Sequence, residues 1–267
     1  MAERRYEYAP AGTLPGLLQR GRGLGARMAA EDPAAAAGLV YGCVRWEWRW
    51  DAGADDRDLY LARLLRDLEL PLGPVVELLA AGDEETRDRA TGVLELLVLG
   101  GSEQARAALP GYVPDEEGPA PRPRQRPPDP CPDRDSASLP ALLAELERHW
   151  VDGVWCGPDG LARGLARFGS GAGGAVSLLR RFWLYTPHSY ERAAYLEALA
   201  ALGSAGMDEA FTESLWDCES GARLSGIAHA PERPEVGARL RYLRDDPMEE
   251  GEVRAAAGRR LAEGRAG

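Results

Sequence analysis

One eight-residue pattern recurs along the chain. An Arg is followed three positions later by Tyr, Ala or Gly, and seven positions later by Leu or Ala. The clearest copies are Arg57–Leu64 (RDLYLARL) and Arg192–Leu199 (RAAYLEAL), and looser copies begin at Arg87, Arg223 and Arg254. Arg57 and Arg87 are 30 residues apart, and the last three copies are 31 apart. A near-constant period of this size is typical of solenoids, whose units bury their apolar faces only against neighbouring units.

Helix start and stop signals place the copies within two-helix units. For example, Asp83 is a predicted N-cap and the pair Gly100-Gly101 ends the following helix. We predict a flexible loop at Gly169–Gly174. The predicted helices are Pro33–Trp50, a helix carrying Arg57–Leu64, Pro74–Ala81, Glu84–Leu99, a short helix after Ser102, Leu139–Val151, Pro158–Phe168, Ala175–Tyr185, Ser189–Leu202, Met207–Trp216, Glu219–Ala228, Pro234–Arg244 and Glu249–Ala262.

A proline-rich stretch interrupts the repeats. Pro114–Pro132 has eight prolines in nineteen residues and almost no apolar side chains. It is predicted to be extended and to form no core. We therefore expect an N-terminal helical block at 1–113, a Pro/Arg-rich linker at 114–137 and a C-terminal helical block at 138–267. The interruption would also fit an incomplete copy of a longer repeat array.

Composition and charge bear on the partners. The net charge of −11 opposes binding to nucleic acid, which depends on neutralising phosphates, and to anionic membrane surfaces. The chain has no Lys and no Asn, so its preference for Arg reflects overall composition and does not indicate phosphate recognition. The sequence thus predicts neither a nucleic-acid partner nor a membrane partner.

Cysteine usage indicates the compartment. Cys43, Cys131, Cys156 and Cys218 are scattered and form no CxxC motif, as in a reduced intracellular protein. No apolar stretch follows the first arginines, so no secretory signal is predicted. The longest uncharged apolar run, Ala34–Val44, has about half the length of a membrane span. We expect a cytoplasmic protein.

The repeat units resemble a known family. Their second helix opens with an acidic residue and then Arg, with Ala three and Leu seven positions after that Arg. Glu84–Leu94 and Gly251–Leu261 carry this pattern most clearly. In this the chain is similar to HEAT repeats of the short variety named after phycobilisome lyases, over Asp55–Gly101 and roughly Ala175–Glu263. The resemblance implies an α-solenoid. Members of that superfamily include scaffolds, chaperone-like bilin lyases and alkylpurine DNA glycosylases, so the fold alone does not transfer a function.

The arginines of the pattern, here called the repeat arginines, are candidate register residues: Arg57, Arg87, Arg192, Arg223 and Arg254. They could line a groove that binds an anion. The favoured interpretation is structural, with each Arg paired to a carboxylate of its own or the adjacent unit. The candidate carboxylates are Asp56, Glu84, Glu191, Glu219 and Glu252.

Three tryptophans form the candidate interaction surface of the N-terminal block. Trp46, Trp48 and Trp50 alternate with charged residues, which is a strand pattern. Because no partner strand is evident, we predict that they lie on the preceding helix. They could form an aromatic recognition surface, since Trp is favoured at binding hot spots, or they could cap the first unit and fill its core.

Other polar groups favour structural interpretations. Ser189, beside His188, is predicted to cap a helix, because adjacent residues rarely orient as nucleophile and base. His149 and Cys156 are seven residues apart, but two ligands do not make a zinc site. Separately, Arg122, Arg124 and Arg126 lie among the linker prolines and could recruit a partner that reads polyproline II. An ordinary linker is the favoured interpretation there.

The sequence therefore predicts an all-α, HEAT-like helical-repeat solenoid in two blocks that acts as a non-catalytic protein-interaction scaffold or adaptor. No cofactor is expected. The alternative is an enzyme on the same kind of scaffold, like the alkylpurine DNA glycosylases or the bilin lyases. A basic concave surface with an aromatic pocket would favour the glycosylase, and a chromophore pocket would favour the lyase.

Overall fold

The computed structural model describes residues 7–81, 83–113, 137–203 and 205–264. Every regular element in those ranges is a helix, which confirms the prediction of an all-α chain. Two 3-10 segments, Glu77–Ala80 and Gly169–Ala175, accompany the α-helices. The α-helices are α1 Leu14–Gln19, α2 Gly23–Glu31, α3 Pro33–Arg45, α4 Asp58–Asp67, α5 Gly73–Val76, α6 Glu84–Leu99, α7 Glu103–Ala108, α8 Leu139–Asp152, α9 Pro158–Ala166, α10 Val176–Tyr185, α11 Arg192–Ala201, α12 Asp208–Ser214, α13 Ser220–His229, α14 Pro234–Asp245 and α15 Gly251–Glu263.

Helices α6 and α7 begin where their caps predict. The Asp83 carboxylate accepts a hydrogen bond from the Thr86 N–H at 2.7 Å. The Ser102 hydroxyl accepts one from the Ala105 N–H at 3.2 Å. Each cap satisfies a backbone donor that the first helical turn leaves without a partner. These helix starts are therefore set by local sequence alone.

Helix α3 is shorter than predicted. It ends at Arg45, so the prediction of a helix through Trp50 is wrong. Arg89 of α6 donates to the carbonyl oxygen of Val44 at 3.1 Å and to that of Arg45 at 2.8 Å. Because Arg89 satisfies those carbonyl oxygens at the end of the helix, α3 can stop at Arg45. The backbone is extended at Trp46.

We call the described residues up to 113 the N-terminal segment and those from 137 onwards the C-terminal segment. Two smaller predictions in the C-terminal segment are also wrong. The glycine-rich stretch at Gly169–Gly174 is part of a 3-10 segment and not a loop. Ser189 does not cap a helix, since α11 begins at Arg192 and its N-cap is Glu191. The Ser189 hydroxyl instead donates to Asp55, far away in the sequence.

The C-terminal segment is built from helix pairs. Helix α10 packs against α11, α12 against α13, and α14 against α15. The second helices of these pairs also contact one another in sequence order, α11 with α13 and α13 with α15. A continuous apolar core runs through the pairs and includes Phe182, Tyr195 and Leu243.

The N-terminal segment has its own core. Helix α4 packs against α6, and α3 contacts both of them. The buried side chains include Val40, Leu61, Leu65 and Val93. Cys218 and Met248 from the C-terminal segment join this core, so the two segments share apolar contacts.

The two segments meet along α2 and α12, which are in contact. Gly23 permits this approach, because a Cβ atom at that position would lie 1.9 Å from the carbonyl oxygen of Glu213. Arg22 forms an ion pair with the Glu213 carboxylate at 2.6 Å. Residues 114–136, which contain most of the predicted linker, lie outside the described ranges.

Candidate functional site

Two of the repeat arginines are buried in ion pairs. Arg192 donates from Nη2 to Asp217 Oδ1 at 2.7 Å and from Nε to Oδ2 at 3.0 Å. Arg223 contacts Glu249 in the same two-point manner, at 2.7 and 2.9 Å. Both arginines are fully buried. Their carboxylate partners lie in the loop before the next second helix, so each pair joins one unit to the following one.

The remaining repeat arginines lack such pairs. Arg57 is buried and donates to the carbonyl oxygen of Pro187 at 3.4 Å. Arg87 donates to the carbonyl oxygen of Ala81 at 2.7 Å. Arg254, on the last helix, is half-exposed, and no ion pair joins it to a described residue. The two carboxylates that form these ion pairs, Asp217 and Glu249, are not among the examples suggested from the sequence.

The ion pairs continue across the contact between the two segments. There Arg63, Arg66, Asp246 and Glu249 form what we call the arginine seam. Arg63 of α4 contacts Asp246 at 2.7 Å and Glu249 at 2.9 Å. Glu249 is therefore shared by Arg63 from the N-terminal segment and Arg223 from the C-terminal segment. Arg66 adds a second contact to Asp246 at 2.8 Å. A carboxylate with this many cationic donors is stabilised in its charged form, and the pKa of Glu249 is lowered, although burial by itself would raise it.

The three tryptophans of the predicted interaction surface do not share a face. Trp46 is 62% exposed. Trp48 is half-buried, packs against the N-terminal core and contacts the Tyr8 ring. Trp50 lies edge-on to the His188 ring, with ring centroids 6.1 Å apart. The alternating tryptophans therefore lie neither in a strand nor in a helix. They occupy three different environments in irregular backbone.

A larger aromatic surface lies elsewhere, at the ends of α8 and α10. Val151 is 75% exposed, Val154 40% and Tyr185 46%. Trp150 and Trp155, which adjoin these valines in the sequence, are half-buried with ring centroids 5.9 Å apart, and the Tyr185 ring lies 5.8 Å from that of Trp150. We call these five residues the aromatic patch. Phe182 lies beneath it and contacts both tryptophan rings.

A polar cluster of three residues adjoins the aromatic patch. Cys156 follows Trp155 and is exposed. Its sulfur lies 3.4 Å from His188 Nε2. The other ring nitrogen of His188, Nδ1, lies 3.4 Å from Asp55 Oδ2. Cys156 and His188 come from the C-terminal segment and Asp55 from the N-terminal one, so the cluster exists only where the two segments meet.

Backbone and side-chain donors fix the Asp55 carboxylate. Its Oδ1 accepts from the Ser189 N–H at 2.6 Å and from the Ser189 hydroxyl at 3.0 Å. Its Oδ2 accepts from the Asp51 N–H at 3.1 Å. Arg57, two residues on, holds the Pro187 carbonyl. The segment at Asp55–Arg57 therefore fixes the loop that carries His188.

The cluster stabilises charged forms. Burial opposes a charged imidazole, but the Asp55 carboxylate and Cys156 raise the pKa of His188 to about 10. Burial would raise the pKa of Asp55, and interaction with His188 and the Arg57 charge lowers it. His188 is therefore a cation over the neutral pH range, placed between a carboxylate and a thiol.

Glu191, the N-cap of α11, binds the backbone next to the thiol. It accepts hydrogen bonds from the Tyr195 hydroxyl at 2.6 Å, from the Thr186 hydroxyl at 3.0 Å and from the Gly157 N–H at 3.3 Å. Burial raises its pKa to about 7. The bond to Gly157 ties the backbone next to Cys156 to α11, which limits movement of the thiol.

This arrangement has the parts of an activated nucleophile, namely a sulfur atom, an imidazole that can hold the proton beside it and a carboxylate that faces the imidazole. The His149–Cys156 pair noted in the sequence is not part of this cluster, since His149 hydrogen-bonds the Glu145 carbonyl oxygen at 2.9 Å. Within the described ranges, no group of three or more His, Cys, Asp and Glu side chains is placed to hold a metal ion. Nor does any helix in those ranges combine the length and apolar character that a membrane span requires.

Comparisons of this chain with known proteins found no match. No protein-family profile, no curated protein sequence and no solved structure matches this chain.

Proposed function

We propose that this chain is a HEAT-like helical-repeat protein that binds another protein through the aromatic patch. It would act as a scaffold or adaptor whose helix pairs hold the binding surface rigid. The observation that carries the proposal is the exposure of Val151, Val154 and Tyr185 together with two half-buried tryptophans, which adjoin the valines in the sequence and contact Tyr185 through the Trp150 ring. Clusters of this kind are favoured at protein interfaces, where Trp and Tyr contribute most of the binding energy.

The repeat architecture is supported by the spacing of the contacts. Arg192 and Asp217 are 25 residues apart, and Arg223 and Glu249 are 26 apart. Helices α11, α13 and α15 contact one another in order. Equivalent arginines thus bind equivalent loops one unit further along, as expected of stacked units.

The partner that fits best is a basic polypeptide segment with an apolar anchor side chain. The chain carries a net charge of −11, which favours encounter with a cationic partner. An apolar side chain bound against the patch would be shielded from water. The free thiols Cys43, Cys156 and Cys218 support the further inference of a reducing compartment, the cytoplasm.

Peptide selection on the purified chain tests this proposal. We expect peptides from a random displayed library to converge on Arg-flanked aromatic or aliphatic residues. Val151→Glu should weaken their binding at least tenfold, because it places a charge within the patch without disturbing a buried contact. Val113→Glu is the matched control, since Val113 is 82% exposed and follows α7, outside the patch.

Equal binding of the selected peptides to Val151→Glu and to the wild type would exclude the patch as the binding surface. Failure of the library to yield any peptide above background would count against the binding function itself.

A further inference from the structure

Cys156 differs from the other described cysteines. Cys43 and Cys218 are buried in the N-terminal core, where burial raises the pKa of each thiol to about 11. Cys156 is exposed and stands directly before Gly157, the N-cap of α9. The N-terminus of a helix carries partial positive charge, which favours an anion such as a thiolate. Because Cys156 is exposed, reagents in solvent can reach it, whereas the thiols of Cys43 and Cys218 are buried.

His188 is placed to exchange a proton with that thiol. Its Nε2 faces the Cys156 sulfur at 3.4 Å, and its side chain is 1% exposed. The rings of Trp50 and Tyr190 lie 6.1 and 5.0 Å from the imidazole ring. These rings cover the imidazole, whereas the Cys156 sulfur remains exposed to solvent.

The surrounding charges favour a protonated ring. Asp55 faces Nδ1, and the charge of Glu191 also favours protonation of the ring, while the charge of Arg57 acts on Asp55. Ser189 and Asp51 hold the Asp55 carboxylate, as described above. An imidazolium fixed in this way beside a sulfur atom stabilises the thiolate, which is the reactive form of cysteine.

We propose that Cys156, with His188 and Asp55, forms a nucleophilic site that accepts an acyl group from an ester or a thioester. Cys156 and His188 are the catalytic residues, and Asp55 is a positioning residue that orients the imidazole. Apolar surface at Val154 and Trp155 adjoins the sulfur in the sequence, so an acyl group with an aliphatic chain is the preferred class of substrate. This proposal does not depend on protein binding at the aromatic patch.

The reaction has two steps. The Cys156 thiolate adds to the carbonyl carbon, the bond to the leaving oxygen or sulfur breaks, and the leaving group takes the proton from His188 Nε2. Water then attacks the acyl-cysteine carbonyl and gives one proton to His188 Nε2. The carboxylic acid departs and Cys156 returns to its thiolate form. The same group thus acts first as acid and then as base, as in other thiol-dependent acyl transfers.

Alkylation by iodoacetamide tests the thiolate, with mass spectrometry of the Cys156 peptide as the readout. The background is Cys131→Ser, and Cys43 and Cys218 serve as unreactive internal controls. We expect the wild-type rate to change less than threefold between pH 6 and pH 8, whereas a free thiol in the isolated Cys156 peptide gains roughly 80-fold. At pH 6 the folded protein should react about tenfold faster than that peptide.

Acyl transfer is tested with an octanoyl thioester and with p-nitrophenyl octanoate. Intact-mass measurement should show one octanoyl group on the wild type, located to Cys156, and none on Cys156→Ser. His188→Gln should lower the acylation rate at least tenfold and restore the steep pH dependence of alkylation. If His188→Gln fails to fold, the wild-type pH profile and the Cys156→Ser comparison still decide the matter.

If the alkylation rate of wild-type Cys156 rises with pH as steeply as that of the isolated peptide, the proposed thiolate is absent and the proposal is overturned. A flat profile without an acyl adduct from either substrate would overturn the assignment to acyl transfer.

Discussion

Arg223→Met should cause a large loss of stability, because Arg223 is fully buried and binds two carboxylate oxygens and two carbonyl oxygens. The carbonyls are those of Asp217 and Cys218, at 2.9 and 2.8 Å. Breaking a buried ion pair by removing one partner costs about 3–5 kcal/mol. Glu249 keeps its contact to Arg63 at 2.9 Å, which places the ion-pair loss near the lower end of that range. The carbonyl oxygens of Asp217 and Cys218, left buried without a donor, add roughly 1 kcal/mol each to the loss of stability.

The total of about 5 kcal/mol corresponds to a fall in Tm of roughly 10 °C for a chain of this size. Urea unfolding followed by circular dichroism measures the free energy, and a thermal scan measures Tm. Arg254→Met is the matched control, since it makes the same substitution at the same repeat position where no ion pair is present. We expect that variant to lose less than about 1 kcal/mol.

The pair itself can be isolated by a double-mutant cycle. Glu249→Gln combined with Arg223→Met should lose less stability than the sum of the two single variants, by at least about 1.5 kcal/mol. If Arg223→Met unfolds with the same free energy as Arg254→Met, the reasoning about unit-to-unit ion pairs is refuted.

Two further predictions concern charge and close packing. Because the pKa of His188 is raised to about 10, its protonated form stabilises the fold fully below about pH 6.5. That contribution is lost as the pH rises towards 10. Between pH 6.5 and 9 the wild type should lose on the order of 3 kcal/mol more than His188→Gln in urea unfolding, and parallel pH profiles would contradict this. Gly23→Ala should cost at least about 2 kcal/mol, since its Cβ would meet the Glu213 carbonyl oxygen at 1.9 Å. Gly38→Ala, on α3 with open space around it, should instead stabilise by about 0.5–1 kcal/mol, and equal changes in stability in the two variants would contradict the packing argument.

The sequence predicted the features that depend on local signals. The start of α6 follows from Asp83 as its N-cap, and the pairs α10/α11 to α14/α15 follow from breaks at prolines and glycines. The end of α3 could not be predicted in the same way. It depends on Arg89, which reaches the carbonyl oxygens of residues more than forty positions earlier.

The candidate thiol site could not be predicted from spacing. Cys156 and His188 are 32 residues apart, and Asp55 contacts Ser189 across 134 positions. Such contacts arise only when the two segments pack. One signal was available for the repeat ion pairs, since Asp217 and Glu249 precede the arginines of α13 and α15 by six and five residues. A carboxylate that recurs at this position before the helix indicates an ion pair with the arginine of the preceding helix pair.

The central claim of this account is that the two segments form one unit, closed by the arginine seam and sharing the thiol site. The most direct test is to place a specific protease site within residues 114–136, cut the purified chain and follow it by size-exclusion chromatography with light scattering. We predict that the cut fragments elute together at the mass of the intact chain, 28.8 kDa, and that Cys156 keeps its flat alkylation profile. Elution of two separate fragments at moderate salt, each with helical structure, would contradict the claim.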